Sequence, residues 1–213
     1  VRLAVLGATG GTGAEVVGQA LDAGHEVTAV VRSAARLAPG IAARAAEVAE
    51  VADQTDERAL RAAFDGRDAV LSALGTTRKG AGAVTAVTRA ATAAMAAAGV
   101  GRIVVVSAVP VGPVPEGEGL FHRAVLHPLI SGIFRDVYRD LAAMEAELRG
   151  GGTDWTVIRP PRLVDAPLTG RYRREIGGNV RGGRTLARAD LAHAMLGALT
   201  DPATFGRAVG VAY

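Results

Sequence analysis

One stretch near the start of the chain, Gly7-Ala8-Thr9-Gly10-Gly11-Thr12-Gly13, limits the possible folds more than any other. A short apolar run at residues 2–6 precedes it. The helical pattern Ala14-Glu15-Val16-Val17 follows at once. The reading is a strand, a tight turn and a helix N-terminus. Glycines at G-x-x-G-x-x-G spacing let the backbone take angles that a side chain forbids and approach a pyrophosphate closely. The helix start then offers unpaired N–H groups and a partial positive charge to the phosphate. A glycine triplet alone means little in a chain with 28 glycines. Between a strand and a helix it predicts dinucleotide binding.

Apolar runs and helical patterns then alternate along all 213 residues, a length that suits one α/β domain with a full core. Strands are predicted at 2–6, 26–31, 48–52, 68–74, 102–107, 154–159 and 207–212, with a short β segment at 170–176. Helices are predicted at 12–23, 56–64, 83–98, 135–149 and 188–199, the first ended by Gly24 and the third by Gly99. A short turn or helix at 33–37 should end at Pro39. Strand–helix alternation of this kind makes a single-domain, Rossmann-like, doubly wound parallel sheet. The rhythm breaks at residues 109–119, where Pro110, Pro113 and Pro115 predict a loop. With 120–134 it would form a lid over a pocket at 109–134. Residues 160–213 would add a small extension on the substrate side, with no internal domain boundary.

Composition narrows the chemistry. Without cysteine there are no disulfides, no thiolate catalysis and no cysteine metal sites, and no His/Asp/Glu spacing suggests a metal. Apolar residues make up 49% of the chain and aromatics only 4%, which suits a buried parallel sheet under Ala-rich helices. No signal-like segment precedes the first strand and no apolar run is long enough to span a bilayer, so a soluble, cytoplasmic protein is expected. The formal net charge is +3, and Lys79 is the only lysine. The arginines fit an anionic small ligand or a solvated surface better than nucleic acid, for which no binding motif is present.

A sheet of this type reads the adenosine ribose at the end of strand two, where an acidic side chain selects NAD. Here that strand ends in Val31-Arg32-Ser33, with Arg36 close behind and no acid. Guanidinium groups and a hydroxyl suit a 2′-phosphate, so Arg32, Ser33 and Arg36 point to NADP(H). Asp53 and Gln54 after strand three fall near the adenine. Leu74, Gly75 and Thr76 after strand four fall near the nicotinamide ribose. With Gly7, Thr9, Gly10, Gly11, Thr12 and Gly13 they complete the expected cofactor set.

The chain as a whole resembles the atypical short-chain dehydrogenase/reductases of the NmrA-like, NAD(P)H-binding group, and within it the biliverdin and flavin reductases. The resemblance rests on the glycine stretch, Val31-Arg32-Ser33, Leu74-Gly75-Thr76, Val106-Ser107-Ala108 and Arg159-Pro160-Pro161. Pro167-Leu168-Thr169-Gly170-Arg171-Tyr172 and Ala189-Asp190-Leu191-Ala192-His193 extend it. It implies an NADPH-dependent reductase that passes hydride to a small planar acceptor of the flavin, quinone or tetrapyrrole type. It places Ser107 beside both nicotinamide and substrate. The alternative is a non-catalytic NADP(H)-binding redox sensor. Many relatives pair a tyrosine with a lysine four residues on; here Ala142 follows Tyr138 at that spacing. Tyr138 remains a candidate hydrogen-bond donor, and Arg162 and His122 are candidate substrate contacts. The expected partner is a small-molecule electron acceptor rather than a membrane or nucleic acid, and the expected state a monomer or homodimer.

Overall fold

The computed structural model describes residues 1–75, 82–115 and 134–213. The elements run β1 (Arg2–Leu6), α1 (Gly11–Asp22), β2 (Glu26–Val31), α2 (Pro39–Ala42), β3 (Glu47–Glu50), α3 (Glu57–Phe64), β4 (Ala69–Ser72), α4 (Ala83–Ala98) and β5 (Arg102–Val106). After them come α5 (Arg135–Gly150), β6 (Asp154–Arg159), β7 (Arg162–Val164), β8 (Arg173–Ile176), β9 (Thr185–Ala187), α6 (Arg188–Ala198) and β10 (Arg207–Ala212). Eight strands form one sheet in the order β3-β2-β1-β4-β5-β6-β10-β8, and β7 pairs with β9 separately. Every pairing in the large sheet is parallel except β8 on β10. The fold is thus the expected Rossmann-like α/β domain.

Alternation along the strands explains why both faces are apolar. Leu3 and Val5 of β1, with Val104 and Ile158, face the layer of α1 and α6. Ala4 and Leu6, with Ile103, Val105 and Val157, face α3, α4 and α5. The strand order reverses at β1, whose neighbours are β2 and β4. Loops leaving the two sides of such a point diverge and open a crevice at the carboxyl ends of the strands.

Several local expectations needed correction. The short turn expected at 33–37 is a 3-10 turn over Ala34–Arg36 that finishes before Pro39, but Pro39 also begins a further helical turn, because a proline at the first helical position gives up an N–H that has no partner there anyway. The third strand lies at Glu47–Glu50 and the fourth is shorter than expected, ending at Ser72. The segment 170–176 narrows to β8, and two three-residue strands, β7 and β9, carry too little alternation to be read from sequence. Most of the expected lid, 116–133, lies outside the described residues.

The C-terminal region is fastened by Asp190. Its carboxylate is fully buried and accepts from Thr169 N–H (3.0 Å), Gly170 N–H (2.7 Å), Thr169 Oγ1 (2.8 Å) and Tyr213 Oη (2.5 Å). Burial pushes its pKa up, but the donors outweigh burial and hold it below the ordinary 3.8. A depressed carboxyl stabilises the fold above the unfolded-state value, and that contribution disappears as pH falls through the folded-state value. Asp190→Asn should therefore lower stability near neutrality, at about 1.5–3 kcal/mol for each charge-assisted bond lost. The gap to wild type should close below pH 3.8. Urea midpoints at pH 6 and in acid measure this, and a gap that does not change with pH contradicts it.

Candidate functional site

A cleft of about 520 Å³ opens at the switch point. Its floor and rim bring together residues from four strand ends: Gly7, Thr9 and Gly10 after β1, Arg32 and Arg36 after β2, Asp53 and Gln54 after β3, and Leu74 and Gly75 after β4. Ala83, Val84 and Val87 of α4 form an apolar wall.

The glycine loop is built from close contacts. Gly7 has φ +81°, a left-handed conformation, and its position leaves no room beside the Ala73 backbone, where a Cβ would lie 3.0 Å away. Gly10 N–H donates to Gly7 O at 2.9 Å and closes the turn. Gly13 lets α1 sit directly on the loop, since a Cβ there would come within 2.0 Å of Gly7 O. Gly11 and Thr12 belong to the first turn of α1, which has no side-chain cap and no acidic residue in that turn. An uncapped helix start facing a cleft presents N–H groups and a partial positive charge to an anion.

At the adenosine end, Arg32 and Arg36 are exposed and form no ion pair among the described residues. Glu50 is engaged by Ala34 N–H at 2.8 Å. Asp53 accepts from Thr55 N–H (2.9 Å) and Thr55 Oγ1 (2.6 Å), and these bonds hold its carboxyl below the usual range. The cap of α3 is Asp56, which accepts from Arg58 and Ala59 N–H. Ser33 is half-buried beside the cleft's basic side without lining it.

This crevice, with its glycine turn, uncapped helix and unpaired arginines, fits a dinucleotide phosphate. Residues 7–202 match the family described as NAD(P)H-binding. The chain belongs to the NAD(P)H-binding family. Solved structures share its fold. A putative exported protein from Burkholderia pseudomallei is 27% identical with a TM-score of 0.81, each chain being covered in full. ChuY, an anaerobillin reductase from Escherichia coli O157:H7, is 23% identical with a TM-score of 0.78, covering 100% of this chain and 97% of its own. A wide-type short-chain dehydrogenase/reductase from Veillonella parvula DSM 2008, in complex with NADP, is 17% identical with a TM-score of 0.81, covering 100% of this chain and 94% of its own.

In this NAD(P)H-binding protein the remaining expected residues scatter. Ser107 follows β5, is buried, and donates its hydroxyl to Glu145 Oε1 at 2.8 Å. Tyr138 is half-buried on α5 near the Phe134 ring, and burial raises its pKa above 10.0, which weakens it further as a proton source. Arg162 is exposed on β7 and does not line the cleft. Thr76 and His122 lie outside the described residues. His193 is bound to Tyr172 Oη at 2.8 Å.

Three contributors escaped the sequence reading. Asp140 of α5 caps α4 from a distance, accepting from Val84 N–H (3.1 Å) and Thr85 N–H (3.0 Å), and so fixes the wall of the cleft. Glu145 is fully buried beneath Ser107. Arg188 lies along Gly11, its Cδ 2.9 Å from where a Cβ would stand, and pairs with exposed Asp165 at 2.6 Å. Asp140 and Glu145 did leave a trace. They share one helical face with Leu141, Met144 and Leu148, and acids within such an apolar stripe imply buried partners.

Proposed function

We propose that this NAD(P)H-binding protein is an NADPH-dependent oxidoreductase that reduces a small planar acceptor of the flavin, quinone or tetrapyrrole type. The observation that carries the cofactor choice is the pair of unpaired arginines, Arg32 and Arg36, at the adenosine end of the cleft, where NAD-selective sheets carry an acid. Bound NADPH supplies the hydride. The chain's own part is to seat the pyrophosphate on Gly10–Gly11 and α1, to hold the 2′-phosphate through Arg32, Ser33 and Arg36, and to border the nicotinamide at Ser107. No lysine follows Tyr138 on α5, and burial disfavours the ionised phenol. The proton that accompanies the hydride then comes from solvent, which suits acceptors whose reduced forms are acidic.

The test combines turnover with cofactor choice. NADPH consumption is measured against flavins, quinones and biliverdins, for wild type and Arg32→Ala, with NADH in parallel. Wild type should consume NADPH with at least one acceptor. Arg32→Ala should raise KM for NADPH about tenfold or more, the worth of one lost charge-assisted phosphate contact, and leave NADH unchanged. Tight NADPH binding without consumption by any acceptor overturns the reductase and favours a sensor of NADP(H).

A further inference from the structure

Glu145 is a heavily engaged carboxylate near the carboxyl ends of the strands. Its Oε1 accepts from Ser107 Oγ (2.8 Å) and Arg159 Nε (2.9 Å), and its Oε2 from terminal nitrogens of Arg159 (2.6 Å) and Arg149 (2.6 Å). Glu145 is fully buried and Arg159 nearly so, while Arg149 reaches solvent. Ser107 N–H is also spent, on Ile158 O at 2.8 Å. The whole arrangement fixes the serine between β5 and β6.

A carboxylate facing two guanidinium groups can only accept, so the single serine proton points at Glu145. A hydroxyl has one donor and two acceptor lone pairs. With the donor used, Ser107 has only acceptor capacity left for a ligand. Turning the proton outward would leave a buried charged oxygen short of a bond, a cost well above that of a neutral hydrogen bond.

We propose that Glu145 is a positioning residue that presents Ser107 as a hydrogen-bond acceptor, so that the group docking on it is an N–H, namely the carboxamide NH2 of the nicotinamide. The proposal rests on the reading that Ser107 borders the nicotinamide. It reverses the simpler expectation that the serine donates to a substrate carbonyl. A carboxamide held through its N–H2 has a fixed rotation about the bond to the ring, and this fixes the ring itself relative to the acceptor.

The experiment compares dissociation constants for NADPH and for its 3-acetylpyridine analogue, which keeps the carbonyl and replaces NH2 with methyl. Wild type should bind NADPH about three- to tenfold more tightly than the analogue, the worth of one neutral hydrogen bond to a preoriented group. Ser107→Ala should weaken NADPH by that factor and leave the analogue unchanged. Glu145→Gln should shrink the preference, because its amide N–H2 can donate to Ser107 and free the serine proton for the ligand. Equal affinities in wild type, with NADPH still weakened by Ser107→Ala, overturn the acceptor role and leave the placement of Ser107 intact. No effect of Ser107→Ala on binding or turnover overturns the placement, and the proposal with it. A retained carboxamide preference without NADPH consumption supports the proposal while overturning the reductase. If Glu145→Gln does not fold, Ser107→Ala and the analogue still decide the question.

Discussion

Gly13→Ala should abolish NADPH binding and destabilise the protein by about 3 kcal/mol or more, at or beyond the upper end of the usual overpacking cost. The added Cβ would stand 2.0 Å from Gly7 O and 2.6 Å from Gly7 C, with Ala8 Cα at 3.0 Å. None of these is the movable end of a side chain. All belong to the turn that must hold its shape for a pyrophosphate to reach the backbone, so relief can come only by lifting α1 off β1. Gly18, in the same helix, is the control, since nothing lies within 4 Å of its Cβ position. Gly18→Ala should be neutral or stabilising by up to about 1 kcal/mol, because alanine favours a helix interior. Thermal unfolding and NADPH fluorescence titration of the two variants separate helix propensity from close approach. Equal behaviour would mean that the loop yields far more easily than its contacts imply.

Glu145→Ala should be the most damaging polar substitution, costing about 3–5 kcal/mol, because it strands the Arg159 charge in a buried site. Ser107 loses its acceptor at the same time. For a chain of this size the melting temperature should fall on the order of 10 °C. The paired variant Glu145→Leu with Arg159→Leu removes both buried charges and should recover most of the loss, since well-packed apolar replacements of a buried pair are often neutral. Arg149 would then stay in solvent, where it is already half exposed. Chemical denaturation of the single and double variants gives the coupling. A double variant as unstable as the single one would show that packing, and not charge compensation, dominates at this position.

These two positions also mark what could be read in the sequence. Gly13 was legible because its signal is local: strand, turn and helix fall within a dozen residues, and the spacing carries the geometry. The strand ends that line the cleft were legible for the same reason, once the sheet order was assumed. Ser107 was placed at a strand end, but its partner was not foreseen. Glu145 lies 38 residues away, and only packing of α5 on the sheet brings the two together. Asp140 is 55 and 56 residues from the N–H groups it caps. Arg162, a candidate substrate contact from the resemblance, sits on β7, whose pairing with β9 leaves its side chain exposed and outside the cleft.

The arginines of the C-terminal region have a consequence for behaviour in concentrated solution. β8 is the antiparallel strand at the end of the sheet order, and all four of its residues are exposed. Bare strand edges are where sheets from different molecules join. This one is guarded by Arg173, bonded to the carbonyls of Arg181 and Tyr213, and by Arg174, paired with Asp201 at 2.9 Å. A neighbouring strand would have to displace these bonds and bury both charges before it could add to the sheet, which is how edge strands are kept from seeding aggregates. Part of the chain's basic character thus serves colloidal stability, and charge-neutral replacements at Arg173 and Arg174 would leave the already exposed Ile176 unguarded on an edge open to self-association.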